Sequence, residues 1–124
     1  METQLIIDGR NHKLTNSNSA TICYVSLNEL KTMGLTMFTN VFSDIKIQDN
    51  ILVLMGFYTQ LEHRKKGYAL QFLQLLINHY TSTNLKGFIL GVDKNNIAAI
   101  NLYHKVGFKI HNTTEKYHIM LLNL

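Results

Sequence analysis

The sequence of 124 residues has no proline, no tryptophan and a single cysteine. It also lacks an apolar run near the roughly 20 residues that a helix needs to cross a bilayer, since its longest ones, such as residues 51–58, are much shorter. The lone Cys23 cannot form an internal disulfide bond, which fits a reducing compartment such as the cytoplasm, and we expect a buried thiol. The first residues carry neither a basic cluster nor a signal-peptide core, so we expect no export signal.

Apolar residues make up 46% of the sequence and charged residues 16%, in a mass of 14.3 kDa. These values are typical of one globular domain, residues 1–124, with a single core. The net charge is +4, and most of the basic residues follow position 60. The second half therefore favours an anionic partner, although a solvated basic surface explains the charge at least as well.

The first half of the chain predicts two strands in a hairpin, a third strand and a helix. Without proline, its turns depend on residues such as Gly, Asn, Asp and Ser. Residues 5–7 and 12–14 flank Asp8-Gly9 in the pattern of a hairpin, and residues 20–25 have the composition of a strand. Ser26 then predicts the start of a helix with apolar side chains on one side, namely Leu27, Leu30, Met33, Met37 and Phe38.

The second half alternates strands and helices. Residues 51–59 form a near-continuous apolar run, which is the pattern of a strand in the middle of a sheet. From Tyr68 to Tyr80 apolar residues recur at helical spacing, and residues 87–92 predict the next strand. This order predicts a parallel strand pair joined by a right-handed crossover, with a ligand site at the carboxyl ends of the strands.

The end of the chain predicts one more helix and a closing hairpin. Asp93 or Asn95 can cap the helix, and Gly107 ends it. Residues 108–111 and 117–122 predict two paired strands, so the fold class is α+β, a mixed sheet with helices on its faces. The helix residues expected to point inward are Ile97, Ile100 and Val106.

A basic turn, residues 64–69, lies where the interior strand gives way to the long helix. Unpaired N–H groups and the positive dipole end at a helix start bind phosphate, and Gly67 permits a close approach that the small Ala69 does not block. The chain contains neither GxxxxGK(S/T) nor GxGxxG, so a nucleoside-triphosphate hydrolase is not expected. From this turn alone, a basic helix cap without a ligand stays an open alternative.

Two spaced motifs follow the interior strand. Arg64, Gly67 and Ala69 form R-x-x-G-x-A, and residues 96–108 form N-x-x-A-x-x-L-Y-x-x-x-G-F. Over residues 51–124 the chain therefore resembles the GCN5-related N-acetyltransferase (GNAT) superfamily, in which Q/R-x-x-G-x-G/A binds the pyrophosphate of acetyl-CoA.

The resemblance implies a mixed, mostly antiparallel sheet with a central parallel strand pair and helices on both faces. It implies direct transfer of an acetyl group from acetyl-CoA, in a ternary complex, to a primary amine on a small molecule or a protein. The chain departs from the family at Leu61, where many relatives carry proline, and in its first half, where a two-helix segment is missing or shortened. A CoA-binding module without catalysis is therefore the alternative, a nucleic-acid binder is less favoured still, and a homodimer is compatible with the sequence.

The resemblance also implies which residues contact acetyl-CoA. Backbone N–H groups of residues 64–70 hold the pyrophosphate, and Asn96 hydrogen-bonds the pantetheine arm. Two parallel strands splay apart to admit that arm, and backbone N–H groups of residues 58–61 bind the oxyanion. By itself, an Asn at a helix start such as Asn96 is usually just a cap. The complete cofactor set is Tyr58, Thr59, Arg64, Lys65, Lys66, Gly67, Tyr68, Ala69, Asn96 and Tyr103.

Acetyl transfer also needs an acid and a base. A phenol with a pKa near about 10 stays protonated at neutral pH and can donate to a thiolate, and the resemblance assigns this general-acid role to Tyr103. An arbitrary tyrosine in a helix would simply pack on the sheet. A primary amine is protonated at neutral pH, so a base is required. The candidates are Glu62, beside the turn, and Glu115, His111 and His118, near the end of the chain.

The histidines show no metal-binding spacing. They are spread along the chain without an HxH or HExxH arrangement. We therefore expect no metal site.

Overall fold

The computed structural model describes residues 2–32 and 50–124. These residues form seven strands and two α-helices, with short 3-10 helices at Leu30–Thr32 and Leu61–His63. The strands are β1 (Thr3–Asp8), β2 (Asn11–Asn16), β3 (Thr21–Glu29), β4 (Ile51–Thr59), β5 (Gly87–Asp93), β6 (Lys109–Thr113) and β7 (Tyr117–Asn123), and the helices are α1 (Tyr68–Thr81) and α2 (Ile97–Lys105).

The strands form one sheet in the order β1-β2-β3-β4-β5-β7-β6. Neighbours are antiparallel except β4 and β5, which run parallel near the middle of the sheet and are joined through α1. The predicted mixed, mostly antiparallel sheet with a central parallel pair is therefore confirmed. Neither helix of the described residues has the length and apolar character to span a membrane.

The two helices pack on the same face of the sheet. Their buried residues belong to one core cluster with alternate strand residues such as Leu54, Phe88 and Met120. A second cluster, including Ile51, Ile89 and Ile119, occupies the opposite face. A helix on that second face is not among residues 2–32 and 50–124. The helix residues in the main cluster are Phe72, Leu73, Leu76, Ile100 and Tyr103.

The predicted helix from Ser26 is wrong over its first residues. Strand β3 continues to Glu29, because Ser26 and Glu29 pair with Met55 and Leu52 of β4. Val25 and Leu27 are buried while the residues between and after them are less so, which is the two-residue period of a strand. Pairing with β4 thus overrides the local helix pattern. The remainder of that prediction, residues 33–38, lies outside the described residues.

The predicted details of α2 also need correction. Its cap is Asn96, whose side-chain oxygen accepts a hydrogen bond from the Ala99 N–H at 3.2 Å, rather than Asp93 or Asn95. Asp93 instead accepts from the Asn95 N–H at 2.8 Å and shapes the preceding turn. Ile97 was expected to point inward but is 60% exposed, because it stands at the first helical position, beyond the buried stripe through Ile100.

Candidate functional site

The parallel strands β4 and β5 separate halfway along their length. They pair only where Ile51–Val53 meets Gly87–Ile89, although β4 continues to Thr59 and β5 to Asp93. Beyond that point β4 pairs with β3, and β5 pairs with β7. The sheet therefore opens between the carboxyl ends of its two central strands.

A β-bulge in β4 lies beside this opening. Tyr24 pairs with Tyr58 and Ser26 with Met55, so β4 carries one more residue than β3 over this stretch. Gly56 supplies the positive φ, 65°, that the bulge requires. Phe57, the next residue, stacks on Phe72 of α1 with ring centroids 5.6 Å apart. A glycine inside an apolar strand is the sequence signal for such a bulge, although the sequence predictions above did not use it.

A groove of about 680 Å³ runs between the end of β4, the start of α1 and one side of α2. None of its lining residues is acidic, and Arg64, Lys65 and Lys105 give it positive charge. Most of the predicted cofactor residues lie together there, namely Tyr58, Thr59, Arg64, Lys65, Gly67, Tyr68, Ala69 and Asn96. Lys66 and Tyr103, from the same predicted set, do not line the groove.

The turn before α1 leaves backbone N–H groups without a helical partner beside the groove. Lys65 and Gly67 have positive φ angles of 62° and 83°, so the chain turns sharply before the helix starts at Tyr68. No side chain caps this helix, and Gln71 donates to the Gly67 carbonyl oxygen at 3.1 Å. The N–H groups of residues 68–70 precede that bond, and such groups can bind an anion.

Arg64 ties the turn to the end of β4. Its Nε donates to the Thr59 carbonyl oxygen at 3.0 Å, and its guanidinium carbon lies 5.0 Å from the centroid of the Tyr58 ring. The hydroxyl group of Thr59 lies 3.3 Å from Sγ of Cys23. The thiol is fully buried, as expected, and burial raises its pKa, which keeps it protonated.

Tyr103 lies beneath the groove. It is 7% exposed and meets Phe57 and Phe108 edge-on, with ring centroids 6.1 Å and 5.7 Å apart. Burial raises its pKa to about 12, so the phenol is protonated at neutral pH. Phe57 lines the groove, whereas Tyr103 does not. This geometry is that of a packed helix aromatic, and its role as an acid stays a prediction.

The candidate bases do not line the groove. Glu62 is on the 3-10 helix before the turn, with its side chain 71% exposed and one carboxylate oxygen 4.0 Å from Nε2 of His63. His63 does line the groove, and its ring meets the Tyr68 ring edge-on. On the closing hairpin, His118 contacts the Thr113 hydroxyl at 3.0 Å. Neither His111 nor Glu115 is among the groove residues.

Nearly half of the groove wall was not predicted from the sequence. One part of it is a stripe on α2 at helical spacing, opposite the face that Ile100 and Tyr103 bury. A polar stripe of this kind could have been found from the spacing alone, once α2 was predicted. The missed residues are Phe57, His63, Ala98, Ala99, Asn101, Leu102 and Lys105, whereas Leu70 belongs to the predicted turn.

The family model for acetyltransferases of the GNAT family matches residues 8–108. The chain belongs to the GNAT family. The match includes both motifs, at residues 64–69 and 96–108, and extends through the first strands, which the motifs alone did not reach. No curated protein sequence matches the chain.

Solved GNAT structures share the fold at low sequence identity. The spermidine/spermine N-acetyltransferase of Vibrio cholerae is 18% identical with a TM-score of 0.66, over 91% of this chain and 65% of that one. The ribosomal-protein-S18-alanine N-acetyltransferase of Escherichia coli is 19% identical with a TM-score of 0.67, over 94% and 71%. The PaiA N-acetyltransferase of Thermoplasma acidophilum, solved with coenzyme A, is 18% identical with a TM-score of 0.68, over 92% and 60%. This GNAT chain thus spans about two thirds of the length of such relatives.

Proposed function

We propose that the chain transfers an acetyl group from acetyl-CoA to a primary amine, by direct attack in a ternary complex. One observation carries the proposal: the end of β4, where it no longer pairs with β5, and the uncapped start of α1 line one positively charged groove. An extended thiol arm with a pyrophosphate at its end fits both features. The GNAT family membership and the fold shared with N-acetyltransferases support the same activity.

The turn at residues 65–70 would hold the pyrophosphate. Backbone N–H groups of residues 68–70 and the helix dipole favour an anion at this position. Gly67 has no Cβ, and nothing lies within 4 Å of where one would project, so the groove floor stays open there. Arg64 would act mainly by fixing the turn against Thr59, because its guanidinium already contacts the end of β4.

The end of β4 would hold the thioester arm. Past Val53 the side of β4 that faces β5 has no paired strand among the described residues, so its N–H and carbonyl groups can bond the amides of pantetheine. Acetyl-CoA supplies a thioester whose carbonyl oxygen becomes negatively charged during attack. Backbone N–H groups of residues 58–61 would stabilise that charge. Asn96 lines the opposite wall, but its side-chain oxygen already caps α2, which leaves its amide N–H donors for the arm.

Tyr103 would donate a hydrogen bond to the leaving sulfur. With a pKa of about 12 it is about 3.5 units above a thiol near 8.5, so complete proton transfer would be uphill by roughly 5 kcal/mol. Tyr103 therefore stabilises the thiolate as a donor, and the proton that completes the thiol comes through solvent. Tyr103 does not line the groove, whereas Phe57, whose ring it meets edge-on, does, so this role requires a local rearrangement when the arm binds.

Glu62 is the candidate base, and it would act through His63. The imidazole lines the groove, and one carboxylate oxygen of Glu62 lies 4.0 Å from its Nε2. His63 would take the proton from the acceptor amine, and Glu62 would stabilise the resulting charge. The amine itself stays unspecified.

The alternative is a GNAT chain that binds CoA without catalysis. Two observations favour it: Tyr103 is not in the groove wall, and the carboxylate of Glu62 is directed to solvent. Both the acetyltransferase and the non-catalytic alternative require CoA to bind. They differ only in whether product forms.

The test is to incubate the chain with acetyl-CoA and a panel of amines while following free thiol. We expect thiol release that depends on the amine. A Tyr103→Phe change should lower kcat by a factor between about 10 and 10², with little change in the KM for acetyl-CoA. A Tyr117→Phe change, on the exposed start of β7, is the matched control and should leave both constants unchanged. CoA binding without thiol release for any amine would establish the alternative. A rise in KM with unchanged kcat would contradict the role of Tyr103 as a donor to the leaving sulfur.

A further inference from the structure

The two edges of the sheet are built differently. At one edge, β6 begins with Lys109 and carries a bulge between Ile110 and Asn112. Charges and bulges of this kind prevent an edge strand from pairing with a further strand. At the other edge, β1 pairs with β2 in an unbroken register, contains no lysine, arginine or proline, and has its one charged residue, Asp8, at its end. The β1 edge therefore lacks the protection that the β6 edge has.

Alternate backbone groups of β1 are directed away from the sheet. The two-residue turn that joins β1 to β2 makes Asp8 and Asn11 a hydrogen-bonded pair. Because the direction of these bonds alternates along a strand, the N–H and carbonyl groups of Thr3, Leu5 and Ile7 are directed away from β2. Within residues 2–32 and 50–124, no strand lies on that side. The edge thus offers donors and acceptors to a further strand.

Apolar side chains accompany this open edge. Ile6 and Ile7 are 36% and 39% exposed, and as consecutive residues of a strand they lie on opposite faces of the sheet. Leu5 shares the face of Ile7 and is partly buried against the main core cluster. Exposed apolar residues beside unpaired backbone groups are the features of a strand that pairs with another strand.

The β1 edge is complementary to itself. When a second copy of β1 lies antiparallel to the first with Ile6 on the two-fold axis, Ile6 opposes Ile6 and Leu5 opposes Ile7 of that copy. The outward backbone groups of the two strands then meet, and the exposed isoleucines are covered on both faces of the sheet.

Charge favours the same register. With the axis at Ile6, Glu2, the residue before β1, faces the turn of the second copy that carries Arg10. With the axis at Leu5, Glu2 would instead oppose Asp8, and like charges opposite each other are destabilising. We propose that two copies of the chain pair through β1 about an axis at Ile6, so that their two sheets form one continuous sheet.

This pairing is independent of the proposed function. None of the residues described for the groove belongs to β1, so a dimer of this kind leaves both grooves open. Failure of CoA binding and failure of pairing are therefore separate results. Variants of β1 should keep the CoA affinity of the unaltered chain, which also shows that they are folded.

Sedimentation equilibrium tests the pairing. We expect a reversible dimer with a Kd on the order of 10–100 µM, because a single strand pair is a small interface. Ile6→Lys places like charges opposite each other on the axis and should raise the Kd by about tenfold or more. The matched control is Ile110→Lys at a 45% exposed position of the β6 edge, and it should leave the Kd unchanged. A chain that stays monomeric up to about 1 mM, or equal effects of the two variants, would overturn the proposal.

Cysteine cross-linking tests the register. Residues that oppose each other at a non-hydrogen-bonded position have Cα atoms about 4.5 Å apart, which a disulfide can bridge. With oxidised glutathione as the oxidant, Ile6→Cys should therefore form a disulfide-linked dimer. Gln4→Cys, two residues away on the same face, opposes Asp8 of the second copy and should stay monomeric under reducing-agent-free electrophoresis, and the native Cys23 is buried. Cross-linking of Gln4→Cys as readily as Ile6→Cys would contradict an axis at Ile6.

Discussion

The two ends of the β4–β5 pair differ in almost every respect. At the amino ends the strands are hydrogen-bonded, and Ile51, Val53 and Ile89 are buried in the second core cluster. At the carboxyl ends the strands have separated, Gly56 introduces a bulge, and a groove opens beside Thr59. One end therefore carries stability and the other is free to bind, so mutations should affect the two properties separately.

The largest expected effect is a loss of stability at the closed end. Ile89→Ala removes a fully buried side chain and should lower the free energy of unfolding by about 2–5 kcal/mol. Ile97→Ala, the matched control at a 60% exposed position, should cost less than about 0.5 kcal/mol. Urea unfolding of both variants measures the difference. Similar losses for the two would mean that the closed end does not carry the core.

The next largest expected effect is weaker CoA binding at the open end. Gly67 has a φ of 83°, so Gly67→Ala should cost about 1–2 kcal/mol of backbone strain. Because this strain reorients the N–H groups of the turn, CoA binding should weaken on the order of tenfold. Gly9→Ala, in the β1–β2 turn at a φ of 59°, carries the same strain far from the groove. Titration with CoA should find it unaltered. If both variants bind CoA equally, the turn is not the anion site.

The smallest effect is a pH dependence of stability at the closed end. His12 is buried, with Nδ1 2.9 Å from the Arg10 carbonyl oxygen and Nε2 2.7 Å from the Tyr80 hydroxyl. The carbonyl can only accept, so Nδ1 carries the hydrogen and Tyr80 donates to Nε2. Burial lowers the pKa of His12 below its ordinary value of 6.5, the hydrogen bond to Arg10 opposes this, and nearby His79 lowers it further.

The pKa of His12 is lower in the folded chain than in the unfolded chain, so on acidification the unfolded chain is protonated first. The contribution of neutral His12 to stability is therefore complete above about pH 6.5 and is lost as the pH falls toward the lowered pKa. We expect a loss of stability in unfolding experiments as the pH falls from neutral to mildly acidic, and a weaker slope in His12→Gln. A stability that rises as the pH falls through this window would contradict the assigned hydrogen bonds.

Features that depend on a few adjacent residues could be predicted from the sequence. Gly67 and Ala69 stand where an interior strand gives way to a helix, so the anion-binding turn could be found from a few adjacent residues. The separation of β4 from β5 could not, because it depends on which residues pair across the sheet. For the same reason the helix expected from Ser26 proved to be part of β3, paired with β4. Lys105 was missed because the apolar pattern of α2 reveals its buried face, whereas the groove uses the other one.

The most direct test of this account is to follow backbone amide signals by NMR as CoA is added. We predict that the amides of residues 56–59 and 65–70 shift or become protected from exchange, while those of residues 51–53 and 87–89 stay unchanged. The control ligand is pantetheine, which should affect residues 56–59 without reaching the turn. Changes confined to the β6–β7 hairpin, or changes at the paired end of β4 and β5, would contradict the claim that the cofactor enters where these strands separate.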